Sequence, residues 1–174
     1  MSDNSKRRRT PIVSSAHLVS EQSAELSAFE YGLIVSSHAF ERWIVRCAAA
    51  AGCGDLSSLD VLVLHSTNHR ERKKRVGDIC FVLNVEDTHT VTYALKKLVR
   101  LGLVDRRRQG KESFYGTSDE GRALCARYRE IRENCLISAL NALGLDEDAV
   151  ADLADRLRAL SGLYDQAARA ATSL

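Results

Sequence analysis

The apolar positions Leu26, Phe29, Leu33, Phe40, Ile44, Cys47 and Ala51 recur at helical intervals, with Trp43 beside them, until Gly52 supplies a stop. They predict a long first helix. Ser57-Ser58-Leu59-Asp60 has the spacing in which a hydroxyl caps an orphan N–H and an acid sits near the positive helix end, so a second helix is expected there. The run Val61-Leu62-Val63-Leu64 is also compatible with a buried strand, and the cap favours the helix.

Beyond the charged stretch Arg70 to Arg75, Val76 to Leu83 reads as a short helix and Asn84 to Asp87 as a turn. In the next helix Val91, Leu95 and Leu98 form the apolar stripe, and Gly102 stands where a left-handed residue is wanted. The period then shortens. Leu103 to Arg107 and Glu112 to Gly116 predict two strands joined through Gln109-Gly110-Lys111. Thr117-Ser118-Asp119-Glu120 reads as a capping box opening a fifth helix, with Leu124, Tyr128, Ile131 and Cys135 as its stripe toward Gly144. Asp146 caps a sixth, whose face carries Val150, Leu153, Leu157, Leu160 and Tyr164.

This order predicts a mainly α protein with a small β-hairpin wing, a winged helix-turn-helix, flanked by long first and last helices. The expected divisions are a basic arm at 1–22, the first helix at 23–56, the winged helix-turn-helix at 57–118 and C-terminal helices at 119–174. The arm is polar and Ser-rich, without apolar period.

Charge changes this picture more by its position than by its sum. The chain has 25 Lys and Arg against 23 Asp and Glu, yet His65 to Glu112 holds twelve basic and six acidic residues, a local +6. A basic middle between acidic helices suggests a polyanion partner docking on one region. Arg106-Arg107-Arg108 and Lys111 crowd one hairpin beside the helix from Thr88, and double-stranded DNA would relieve that repulsion. On that helix Thr88, His89, Thr90, Thr92, Tyr93 and Lys96 are candidates for reading bases. Lys97, Arg106, Arg107, Arg108 and Lys111 are candidates for phosphates.

The remaining chemistry narrows the classes. Five cysteines without a paired rhythm do not suggest a secreted disulfide framework, and no apolar region follows Lys6-Arg7-Arg8-Arg9. A cytoplasmic protein without a membrane span is expected. No Gly-rich phosphate loop, HExxH or GxSxG is present, so neither an enzyme nor a cofactor is expected. Cys47 and Cys53, with Arg46 adjacent, keep a redox-sensing regulator open as an alternative. A winged-helix interaction module without DNA binding is another. His65 and His69 have a zinc-chelating spacing, but two ligands do not make a site.

Thr90-Val91-Thr92, Leu98, Arg100-Leu101-Gly102-Leu103-Val104, the basic wing and Thr117 to Leu124 together resemble the recognition helix, wing and following helix of MarR-type transcriptional regulators. Asp78 to His89 resembles an LdtR-like subgroup of that family, which hints at cell-wall or stress genes. The wing departs from the family pattern: only Arg108-Gln109-Gly110-Lys111 stands where a longer hairpin with an Asp-Arg pair is common. The resemblance implies a homodimer on a pseudo-palindromic operator, held by a dimerisation layer of the long first and last helices, and a small-molecule effector between that layer and the winged helix. Phe40, Trp43, Cys47, Tyr128 and Arg129 are the lining residues expected on that basis.

Overall fold

Ser57 sets the start of the helix on which the fold is organised. Its hydroxyl accepts from the Asp60 N–H at 3.2 Å, while the Asp60 carboxylate accepts from the Ser57 N–H at 2.8 Å. Two orphan donors are thereby satisfied reciprocally, and the run Val61 to Leu64 is helical rather than extended. The computed structural model describes residues 24–137, 139–140, 143–144 and 146–174. The expected arm at 1–22 lies outside them.

The described residues form α1 (Ala24–Ala50), α2 (Ser58–Asn68), a 3-10 turn (His69–Glu71), α3 (Val76–Leu83), α4 (Thr88–Arg100), β1 (Val104–Gln109), β2 (Glu112–Thr117), α5 (Asp119–Arg132), a π-helical turn (Glu133–Ile137) and α6 (Glu147–Ala171). Gly52 and Gly102, the predicted stops, have φ of 105° and 73°, a region that costs a residue without Cβ little. The chain divides into two compact units, one ending at Cys125 and one from Ala126 to Leu174.

In the first unit α2 packs on α1, α3 and α4. Ile44, Val61, Val63, Leu64, Ile79, Val91, Leu95 and Leu98 are almost wholly excluded from solvent and make the core. The stripe read from the sequence on α4 is its buried face. Antiparallel pairing runs from Val104↔Thr117 to Gln109↔Glu112, leaving Gly110 and Lys111 as a two-residue turn with Gly110 at φ 61°. Lys74 adds a bridge on the outer side of β2: its N–H donates to Tyr115 O and Tyr115 N–H donates back, each at 2.8 Å.

α5 starts one residue later than the expected box. Ser118 is its cap: the hydroxyl accepts from Gly121 N–H at 3.0 Å and donates to Gly102 O at 2.6 Å. Ser118 is preferred to Thr117 because its hydroxyl can serve both the helix and the end of the α4 loop. A π-helical turn replaces regular α-helix where Cys135 was expected on the stripe. In the second unit α6 is capped by Asp146, which accepts from Ala149 N–H at 2.8 Å, as its sequence predicts.

Candidate nucleic-acid interface

Asp87 opens α4 by accepting from His89 N–H at 2.8 Å. This presents Thr88, His89, Thr90, Tyr93, Lys96 and Arg100 to solvent on the side opposite Val91, Leu95 and Leu98. Tyr93 is 77% exposed, and the Lys96 ammonium lies 5.9 Å from the centre of its ring, within cation–π range. Thr92 is half-buried; its hydroxyl donates back to Thr88 O at 2.8 Å, and that of Thr90 to Asp87 O at 2.7 Å. Both oxygens retain acceptor capacity. A groove of 790 Å³ runs along this face, bounded by His89, Thr90, Tyr93, Lys96 and Arg100 on α4 and by Ser57, Leu59 and Asp60 at the start of α2.

Lys97 stands apart from the phosphate candidates. Its ammonium meets Asp60 at 2.7 Å, and the Asp60 side chain is only 6% exposed. The pair joins α4 to the capped end of α2, so a residue expected on a phosphate holds the groove's two walls together. Nothing local in the sequence connects positions 37 residues apart.

The wing arginines divide by strand alternation. Arg106 and Arg108 share the face that begins at buried Val104 and Tyr115, whereas Arg107 points to the other face with Asp105 and Phe114. Arg106 donates from Nε and Nη2 to Ser113 Oγ at 3.1 and 2.9 Å. Arg108 donates from Nε to Gly110 O at 3.3 Å. Lys111 is exposed at the turn.

Two basic residues counted with this region have structural roles. Arg75 bonds Glu112 of β2 at 3.1 Å, and its N–H donates to the Asp78 carboxylate at 2.8 Å. That backbone bond is the main reason the Asp78 carboxyl is held below its ordinary range. Lys74 is 5% exposed; its ammonium donates to His69 O at 2.6 Å and Thr67 O at 3.4 Å, satisfying carbonyls at the end of α2. Desolvation, then the nearby Arg72, pushes its pKa down. Sequence reading missed this burial, because a lysine inside a basic run carries no mark of being turned inward.

Among the residues expected to line an effector site, Phe40 is exposed on α1, Trp43 half-buried and Cys47 buried. Tyr128 is buried on α5, and Arg129 is exposed beside Glu133 at 3.9 Å. Cys47, Cys80 and Cys125 are buried, Cys53 is half-buried and Cys135 exposed. Burial pushes the Cys125 thiol up to about 11 and raises that of Cys80 too, so both stay protonated and poorly nucleophilic at neutral pH. Among the described residues no three His, Cys, Asp or Glu side chains gather as metal ligands, and no helix is long and apolar enough to cross a membrane.

A helix-turn-helix followed by a two-stranded hairpin is a winged helix, and residues 56–121 match the family model described as a winged helix DNA-binding domain. Solved structures of MarR family regulators share the fold over most of the chain. A MarR family transcription regulator superposes with a TM-score of 0.66 at 14% identity, over 85% of this chain and 95% of its own. NMB1585, a MarR family regulator from Neisseria meningitidis, gives 0.65 at 16% identity, over 82% and 94%. The oxidized form of MarR from E. coli gives 0.58 at 20% identity, over 75% and 92%. Among curated proteins no sequence relative is found.

Proposed function

We propose that this chain is a MarR-type transcriptional regulator, not an enzyme, acting in the cytoplasm as a homodimer on a pseudo-palindromic DNA operator. The observation that carries the reading is the exposed polar face of α4 beside a basic wing. His89, Tyr93, Lys96 and Arg100 project from one helix whose opposite side is core. A helix of this size fits the major groove, where side chains meet base edges, while hairpin cations meet phosphates. Thr88, His89, Thr90, Thr92, Tyr93 and Lys96 are assigned to recognition. Arg106, Arg107, Arg108 and Lys111 are assigned to the backbone, with Lys97 reserved for Asp60. The likeness of Asp78 to His89 to the LdtR-like subgroup supports a place there, with cell-wall or stress genes as targets.

Control by a small-molecule effector belongs to the same proposal. Phe40 and Trp43, one turn apart on α1 and incompletely buried, support it. Trp43 is the only tryptophan of the chain, so its fluorescence would report such a ligand directly.

The test is binding to the duplex upstream of the protein's own gene as salt is varied. The logarithm of the affinity should fall by about 0.9 per logarithm of salt for each phosphate neutralised. Tyr93→Ala should alter which sequence is preferred, and Arg108→Ala should weaken all sequences alike. Absence of saturable binding at low salt, or equal affinity for scrambled DNA, refutes the proposal.

A further inference from the structure

Arg107 is the wing arginine that faces away from Arg106 and Arg108, and strand alternation fixes this through its pairing with Phe114. Beneath it lies a cavity of 150 Å³ whose walls include Thr67 of α2, Lys73, Asp105, Arg107, Phe114 and Arg122. Lys73 reaches the cavity along Gly116, where an added Cβ would lie 3.5 Å from its Cγ. Arg122 is anchored through Nη1 to Thr117 O at 2.6 Å and through Nη2 to Asp119. Among the described residues, the side chains of Lys73, Arg107 and Asp105 form no hydrogen bond or ion pair.

We propose that this cavity is an oxyanion site taking a phosphate group, held by Lys73 and Arg107, with the guanidinium of Arg122, paired to Asp119, forming part of its wall. Three cations converge on a space with one lining carboxylate, Asp105. Two of them are unspent. An arginine fork and a lysine point charge are the pairing that recognises a phosphate. Asp105 opposes the anion and limits its affinity, so its neutralisation should strengthen binding. The phosphate has two sources: the backbone of the bound duplex, which rests on the regulator reading above, or a free phosphate. Contact with the duplex would extend the footprint to the wing face that Arg106 and Arg108 do not serve.

Titration of the intact protein with inorganic phosphate, followed by the NMR signals of the Arg107 Nε–H and the Gly116 amide, tests the site without DNA. Saturable shifts are expected, stronger in Asp105→Asn and lost in Lys73→Ala. Heat denaturation of each variant near the parent midpoint checks folding. For the duplex source, Arg107→Ala, Lys73→Ala and the double variant should each lower the salt slope by about 0.9, since both residues serve one phosphate. Phosphate shifts with an unchanged slope assign the site to a free phosphate. Shifts in a protein that binds no duplex keep the site and refute the regulator reading alone. No shift together with parental slopes in all three variants overturns the proposal.

Discussion

His65, on α2, carries a pH dependence of stability. Burial holds its imidazole below the ordinary value of about 6.5, so the folded protein keeps it neutral where the unfolded chain takes up a proton. Stability from this group is therefore full above about 6.5 and declines as pH falls through that value toward the folded pKa. Urea midpoints should drop between pH 7.5 and pH 5.5, and His65→Gln should flatten that drop; equal drops in both proteins would exclude His65 as the cause. Gly121 is constrained by space. A Cβ there would stand 2.1 Å from Leu103 O and 2.7 Å from the Thr117 methyl, and backbone cannot yield as a flexible side chain can. Gly121→Ala should destabilise by about 1–3 kcal/mol, read as a lowered thermal midpoint, whereas an unchanged midpoint would mean that α5 can lift from the wing freely. That glycine follows the hydroxyl and acidic residues opening α5, so its place at a helix start was legible. Its clash with Leu103 was not, because the approach joins segments far apart in sequence.

At the scale of elements, the helices announced themselves through local signals: the Ser57 and Asp146 caps, glycines after α1 and α4, and the stripe Val91, Leu95, Leu98. Each lies within one or two turns, so a single sequence carries it. What joins the elements left no such trace. Lys97 reads like any exposed lysine on an amphipathic helix until Asp60 is placed opposite it, and Lys74 reads as part of a solvated run until it closes the end of α2. The division of Arg107 from Arg106 and Arg108 lies between these cases, since alternation follows at once when the strand register is known. The Lys97–Asp60 pair makes a separable prediction. Lys97→Met should lower stability by about 1–3 kcal/mol, because the Asp60 carboxylate is left buried without its cation. The salt slope of DNA binding should stay at the parental value, since Lys97 neutralises Asp60 rather than a phosphate. A slope smaller by about 0.9 would return Lys97 to the phosphate contacts.

Over the whole molecule, apolar side chains remain uncovered on long helices of both units. On α1 Leu26, Ile34, Val35 and Phe40 are among the exposed large residues, and on α6 Leu153, Leu157 and Leu163 are. No described side chain of α6 is buried. Scattered exposure is ordinary for a soluble surface, but a stripe on a terminal helix calls for a cover. We take that cover to be a second copy of the chain, which would also supply the second recognition helix a pseudo-palindrome requires. In a twofold assembly one substitution acts twice. Placing a charge at Leu157 removes about 1.5–3 kcal/mol of burial from each protomer, or roughly 3–6 kcal/mol in all. The dimer dissociation constant should then rise by about two to four orders of magnitude, measured by sedimentation equilibrium of Leu157→Asp over a concentration series. Affinity for a full operator should fall toward that for a half-site in the same variant, while its winged helix remains folded. Parental mass at every concentration would remove Leu157 from the interface, and a monomeric parent that binds the full operator tightly would remove the dimer from the mechanism.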